Sequence, residues 1–331
     1  MKHAVIGTGY WGSNHVRVSK ELKTEGKLDE VVLCDIDEDR VTEMASSYGL
    51  QKVTDYAQLP TEGVDTATIA TPSPTHHEIA TTLLNAGIDV LVEKPLAMTS
   101  EEAWDIVKTA EANDCTLGVG HIFRYHPALK ELKGRIDRGE FGRIRTLYST
   151  RFSYREPRAT AGSLYSLAVH DIDISNYLLE ETPDTLFCAE QSHVRDGVDE
   201  SATLVLKYDN VQSIITESWQ VPVFDKRRDV VVIGSEKVGY VDYLKDTVVE
   251  VFESRIETQG NSLVARQEGR QEYTAPDEEP LKAEVEGFLD ACRRNVDPVA
   301  SGRIGAQTVE LLELATESAD TFQSVSVPDG L

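Results

Sequence analysis

The chain is short of cysteine, of positive charge and of long apolar runs. Its four cysteines, Cys34, Cys115, Cys188 and Cys292, stand far apart in 331 residues, and none belongs to a CxxC pair. That spacing argues against a zinc site and against a disulfide framework, so no metal is expected, and a reducing cytoplasm fits best. No stretch reaches the ~20 consecutive apolar residues that span a bilayer. The opening residues, MKHAVIG, read as a strand and not as a signal peptide. Basic residues are outnumbered, 33 Lys and Arg against 57 Asp and Glu, for a net charge of −24. Such a surface repels phosphate backbones and anionic lipid, which argues against nucleic acid and membrane as partners. The acids are spread along the chain, not gathered in a tail, and arginine exceeds lysine. We read this as a halophilic composition, suited to a salty interior where screening weakens self-repulsion.

Over residues 2 to about 120, short apolar runs alternate with amphipathic stretches. KHAVIG, EVVLCD, DTATIAT, DVLVEKP and CTLGVG read as strands. Helices are predicted between them: SNHVRVSKELKTEG ended by Gly26, DEDRVTEMASSYG, PTHHEIATTLLNAG, and SEEAWDIVKTAEAND capped by Ser100. Alternation of this kind predicts an α/β, doubly wound parallel sheet. Beyond about residue 125 the texture changes. PALKELKGRIDRG and AVHDIDISNYLLE read as helices, and Thr182 to about Val251 reads as strands with separators such as Asp209–Asn210. A helix pair closes the chain, preceded by the acidic loop APDEEP at 275–280. The expectation is two domains, 1–121 and 122–331, the second a mixed or mostly antiparallel sheet with helices on one face.

VIGTGYWG places Gly7, Gly9 and Gly12 between the first strand and the first helix. Gly7 permits the tight turn, Gly9 lets backbone approach a pyrophosphate, and Gly12 lets helix and strand pack closely. The phosphates then meet free amides at a helix N-terminus. Asp35 ends the second strand, where its carboxylate can accept both ribose hydroxyls. A 2′-phosphate would meet that charge, and Ile36 next to it supplies no arginine. NAD is therefore favoured over NADP.

Glu93-Lys94-Pro95 follows a strand, at the sheet edge where ligands bind. Lys94 there can hydrogen-bond a substrate hydroxyl and stabilise it as it becomes alkoxide-like; Pro95 can fix the turn, with a cis bond as one option. His170 and Asp173, three apart, share a helix face. His170 can take a hydroxyl proton and Asp173 can orient it, while Asp171 points elsewhere. The bland alternatives are a solvated lysine ending a strand and a histidine packed within a helix.

With these pieces in order, together with ATPSPTHHEIA, GVGHIFRYHPALKELK and PLKAEVEGFLDA, the chain resembles the glucose–fructose oxidoreductase / inositol dehydrogenase (Gfo/Idh/MocA) family along essentially its whole length. The resemblance implies a Rossmann domain followed by an α/β domain with a large open sheet. It also implies NAD(P)-dependent oxidation of a sugar, cyclitol or related hydroxyl, and it matches Lys94 and His170 to the family's catalytic lysine and histidine. The expected cofactor contacts are Gly7, Thr8, Gly9, Tyr10, Trp11, Gly12, Asp35, Thr71, Pro72, Ser73, His76, Glu93 and Lys94, with a structural role favoured for His76. The expected substrate contacts are Lys94, Arg124, Tyr125, Arg155, Arg158, Ser166 and His170. Many members carry an aspartate where this chain has Ser166, so the proton relay must differ or be shorter; Tyr165 and Asp173 are the candidates to compensate.

GYWGSNHVR and LAVHDID look most like the branch that oxidises the 3-hydroxyl of UDP-N-acetylglucosamine or its uronate. Residues 143–158 hold Arg143, Arg145, Arg151, Arg155 and Arg158 against Glu156 alone, and arginine forks suit phosphate oxygens. The alternative for these arginines is pairing with acids on the sheet. A free sugar or inositol dehydrogenase and a non-catalytic NAD-binding regulator stay open beside the nucleotide-sugar reading. A homodimer or homotetramer through the second domain's sheet is expected.

Overall fold

The computed structural model describes residues 1–157, 161–245, 247–328 and 330. The chain divides into two compact units: Met1–Ile122 with Glu279–Glu310, and Phe123–Glu278 with Leu311–Leu331. The sequence reading ended the first domain at residue 121 and assigned all that follows to the second. The structure returns Glu279–Glu310 to the first unit.

The first unit begins with β1 (Lys2–Ile6), α1 (Gly12–Thr24), β2 (Glu30–Cys34), α2 (Glu38–Tyr48) and β3 (Gln51–Val53). It continues with β4 (Thr66–Ile69), α3 (His76–Asn85), β5 (Asp89–Val92), α4 (Ser100–Ala112) and β6 (Leu117–Val119). The strands are all parallel, in the order β3-β2-β1-β4-β5-β6. Each is short and apolar because both faces are covered. Ala4, Ile6, Ala67 and Ile69 face one side, with Leu83 of α3 and Ile106 of α4. Val5, Val31 and Leu33 face the other, with Val16 and Leu22 of α1. Phe288 and Leu289 pack into that second layer from far along the chain, which is why the helix that carries them belongs here. Thr99, not Ser100, caps α4: its side chain accepts the Glu102 N–H at 3.2 Å.

The second unit holds α5 (Pro127–Asp137), β7 (Ile144–Ser153), a π-helical turn at Leu164–Ala168, and α6 (Val169–Leu179). The strands β8 (Thr185–Gln191), β9 (Ser201–Tyr208), β10 (Val211–Ser218), β11 (Lys226–Gly234), β12 (Val238–Asp242), β13 (Val248–Gln259) and β14 (Ser262–Thr274) follow. Then α7 (Pro280–Arg294) and the first half of α8 (Gly302–Thr321) belong to the first unit, and the rest of α8 with β15 (Val325–Ser326) to the second. The nine strands run β14-β13-β12-β11-β7-β10-β9-β8-β15, antiparallel except for the β7–β10 pair. Apolar residues of α5, α6 and the end of α8 cover one face, against Leu147, Leu204, Leu206, Ile215, Val230 and Val232. Alternate residues such as Tyr148 point to the other face and are exposed. The mixed sheet with helices on one face is as expected. Two parts were not foreseen: β7, read only as an arginine-rich stretch, and β14 with the second half of β13. β14 is polar and exposed along nearly its whole length, so it carries no alternation to read. Among the described residues no helix is long and apolar enough to cross a membrane.

Candidate active site

A cleft of about 480 Å³ opens at the carboxyl ends of β1, β2 and β4 in the first unit. Gly7, with φ of +86°, turns the chain directly after β1. A methyl on Gly12 would stand 1.9 Å from the Gly7 carbonyl oxygen, so close helix–strand packing demands glycine there. Gly9 differs: a side chain would enter the cleft, with Arg40 Nη1 its only near neighbour at 3.7 Å. This is backbone left bare toward a ligand. No side chain caps α1 and no acid lies in its first turn, so its positive end is unspent. Tyr10 and Ile36, 90% and 89% exposed, present apolar surface at the cleft. These features fit a dinucleotide. Of the residues read as cofactor contacts, Gly7, Gly9, Tyr10, Trp11, Asp35, Thr71 and Pro72 line the cleft, and Thr8, Gly12, Ser73, His76, Glu93 and Lys94 lie outside the lining.

Asp35 is buried at the end of β2 and already engaged. Its Oδ2 accepts the Thr8 N–H at 2.7 Å and the Thr8 hydroxyl at 2.8 Å, and its Oδ1 accepts the Asp37 N–H at 3.0 Å. Of roughly four acceptor positions on a carboxylate, one is left for a ribose hydroxyl, where the sequence reading offered two. Ile36 indeed carries no cation, but Arg40 folds back to line the cleft, with Nε 3.9 Å from Asp35, while its Nη2 pairs with Asp37 at 2.7 Å.

The Glu93-Lys94-Pro95 turn follows β5, and its Lys94–Pro95 peptide is cis. Glu93 is the joint between this turn and the glycine loop. Its Oε1 accepts the Trp11 indole N–H and faces His15 Nε2 at 2.8 Å, and its Oε2 accepts the Lys94 N–H at 3.2 Å. Burial pushes this carboxyl up. The His15 hydrogen bond and charge, with Lys94 and Trp11, outweigh that and hold it below its ordinary value. His76 lies behind the turn, its ring nitrogens 2.9 Å from the Pro95 carbonyl and 3.0 Å from that of Thr71, and burial lowers its pKa. Its place there is a brace between two loops. His15, which sequence reasoning did not single out, has one visible signal: it lies four residues after Trp11, one turn along the same helix face.

In the second unit, His170 stands half-buried in the first turn of α6, with the Phe123 ring edge-on at 5.1 Å between centroids. Asp173, one turn on, accepts Arg124 Nε at 2.8 Å, and the Arg124 guanidinium also lies 5.2 Å from the Tyr177 ring centroid. The two residues assigned separately to proton relay and substrate are thus an ion pair. Tyr125 is largely buried. Ser166 is buried in the π-helical turn, its hydroxyl 3.4 Å from the Ala161 carbonyl. Tyr165 is partly buried and packs against the α8 side of the core.

The arginine-rich stretch separates on inspection. Arg151 is buried on the helix-covered face and binds Asp171 through Nε at 2.6 Å and Nη2 at 3.4 Å. Asp171, set aside by the sequence reading, is wholly buried. Arg155 is exposed, its guanidinium 5.6 Å from the Trp219 ring centroid. Arg158 lies outside the described residues. Lys94 belongs to the first unit and His170, Arg124 and Arg155 to the second.

Residues 1–121 match the oxidoreductase family with an NAD-binding Rossmann fold, and residues 129–238 match the GFO/IDH/MocA C-terminal domain. UDP-N-acetylglucosamine 3-dehydrogenase from Acidithiobacillus ferrooxidans is 26% identical over 318 residues, spanning 94% of this chain and 96% of that protein. A solved structure of that enzyme superposes with a TM-score of 0.82 at 24% identity, covering 97% of this chain and 98% of the other. Myo-inositol 2-dehydrogenase from Thermotoga maritima is 22% identical, with 99% of each chain covered. Levoglucosan dehydrogenase, solved with NADH and levoglucosan, shares the fold at a TM-score of 0.86 and 20% identity, covering 99% and 100%. Matches to both domains, on a chain whose glycine loop is hydrogen-bonded to its Glu-Lys-Pro turn, place it in the Gfo/Idh/MocA family of NAD-binding oxidoreductases.

Proposed function

We propose that the chain is a dehydrogenase that oxidises a secondary hydroxyl of a sugar or nucleotide sugar. The observation that carries this reading is the Glu93–Lys94–Pro95 turn, joined through Glu93 to the Trp11 of the dinucleotide loop. NAD, when bound, supplies the hydride acceptor. Gly9 and the start of α1 would hold its phosphates, and Asp35 one ribose hydroxyl. Lys94 donates a hydrogen bond to the substrate oxygen and stabilises its growing negative charge. His170 accepts the hydroxyl proton on a neutral ring nitrogen. The preferred substrate is a UDP-N-acetylglucosamine or its uronate, reacting at the 3-hydroxyl. Exposed Arg155 supports it, since a guanidinium suits a diphosphate. A free sugar or inositol is the second reading, and Arg151 favours it: that cation is committed to Asp171 and withdrawn from any anion. The open face of the second unit's sheet supports assembly into a dimer or tetramer.

The test is a screen of sugars and UDP-sugars for NADH absorbance, repeated with Lys94→Ala and His170→Ala. Each substitution is expected to lower turnover about 100- to 10,000-fold while NAD affinity, read by fluorescence, stays close to that of the parent. Unchanged turnover in Lys94→Ala removes the lysine from the chemistry. Arg155→Gln is expected to raise KM for a UDP-sugar and leave a neutral sugar untouched.

A further inference from the structure

The helix-covered face of the second unit's sheet carries charge where apolar side chains are the rule. Along β10, Ser213, Ile215 and Glu217 point inward, and Glu217 is 1% exposed. Its register partner on β7 is Arg151, whose partner on β11 is Arg228. Asp171 comes down on this row from α6 and takes the Arg151 fork. Neither oxygen of Glu217 has a hydrogen-bond donor among the described residues. What its carboxyl does have close by is the carboxyl of Asp171, held on the same Arg151 that is its register partner.

Two ionised carboxylates face to face, one of them without a donor, are unfavourable in a dry interior. A single proton between them removes the conflict. A carboxylic acid has an O–H to give, and Asp171 has acceptor capacity beyond the Arg151 fork. The three groups then sum to zero charge. We propose that Glu217 is a neutral carboxylic acid donating to Asp171, and that this acid–carboxylate–guanidinium triad positions His170. The second half rests on the reading of His170 as proton acceptor.

The connection to His170 runs by two routes. Asp171 is its chain neighbour in the first turn of α6. The Arg151 guanidinium also lies 4.6 Å from the centroid of the Phe123 ring, which in turn backs the imidazole. One cation therefore fixes both the backbone beside His170 and the ring behind it. The groups facing Glu217 are Asp171 on α6, Arg151 on β7, Arg228 on β11, Asp199 ahead of β9, Cys188 on β8, and the Tyr243 phenol beyond Arg151. Burial, then the Asp171 charge, push the Glu217 carboxyl well above the carboxylate range, and Arg151 opposes them without winning.

Glu217→Gln keeps the shape and gives Asp171 an N–H in place of the O–H. Infrared spectroscopy of the whole protein should show a buried protonated-carboxyl carbonyl band that is missing from Glu217→Gln. Thermal stability of the parent should fall as pH rises above about 4.3, where the unfolded chain gives up this proton and the folded chain still holds it. Glu217→Gln should lose that component of the slope. Absence of the band, or an unchanged slope, overturns the protonated acid.

For positioning, the His170 imidazole signals are followed by NMR, which needs no substrate. Glu217→Ala should shift and broaden them, and Glu217→Gln should restore them. On a substrate found by the screen, kcat of Glu217→Ala should drop about tenfold, about 1.4 kcal/mol in barrier, with KM little changed. His170 signals identical in all three proteins would sink the positioning role. Should Glu217→Ala not fold, the parent and Glu217→Gln still decide the protonation. A protein with the band and the imidazole shifts that oxidises no sugar would leave the triad standing and remove only the dehydrogenase reading.

Discussion

Each unit buries a titratable group within its sheet, and the two do so in opposite ways. In the parallel sheet of the first unit, His3 sits between two hydroxyls, Thr66 Oγ1 at 2.8 Å and Thr68 Oγ1 at 3.1 Å. Both are uncharged, so burial, helped by His15, drives the histidine to a pKa of about 3 and keeps it neutral. In the mixed sheet of the second unit, Glu217, Arg151 and Arg228 share one row beneath α6, and Asp171 comes down on it from that helix. The first unit confines its ligand chemistry to the strand ends and keeps the sheet interior neutral. The second carries full charge into the interior, below the helix that bears His170. The lesson is that buried charge marks where a fold is being held to a geometry, and not merely to a shape.

That contrast can be broken in three places. Arg151→Met should be the most damaging, because it strands Asp171 without its counter-ion; a loss of about 3–5 kcal/mol is expected in urea unfolding. A loss below about 1 kcal/mol, the scale of a surface pair, would mean that the row is solvated and the contrast false. His3 gives the next effect. Its folded pKa lies below the unfolded value of 6.5, so its stabilising contribution is complete above 6.5 and is lost as pH falls toward 3. Between pH 7 and pH 4 this amounts to on the order of 3 kcal/mol. His3→Gln should flatten that acid limb; a limb of equal slope in both proteins would remove His3 as its source. With the alkaline limb expected of Glu217, the units would lose stability at opposite ends of the pH scale. The smallest effect tests a cap: Thr99→Ala should cost about 1 kcal/mol, and Ser100→Ala next to it a few tenths. A larger cost at Ser100 than at Thr99 would return the cap to Ser100.

The first unit was the more legible of the two. Gly7, Gly9, Gly12 and Asp35 act at fixed places relative to β1 and β2, so strand order alone predicts their neighbourhood. What sequence missed there came from side chains that reach back: Arg40 to the cleft, His15 to Glu93, Asp35 to Thr8. The second unit hid more. β7 alternates, but its inward positions include Ser149, Arg151 and Ser153, so no apolar period announces it. Its register against β10 and β11, which sets Arg151 between Glu217 and Arg228, is a pairing of distant segments that no local pattern encodes. One clue was present in Ser213, Ile215, Glu217 and Trp219. A glutamate on the parity of buried residues is an anomaly that asks for a partner. Reading Asp171 as pointing elsewhere on its helix was correct as geometry and missed that elsewhere was the interior.

The return of Glu279–Glu310 to the first unit bears on how the protein is born. Synthesis runs from the amino end, so the strands of the parallel sheet leave the ribosome first, yet Phe288 and Leu289, which seal one of its layers, emerge only after β7 to β14 are complete. The nascent dinucleotide domain must wait with that layer unfinished while eight of the second sheet's nine strands are made. The earliest part of the molecule is therefore among the last to be closed.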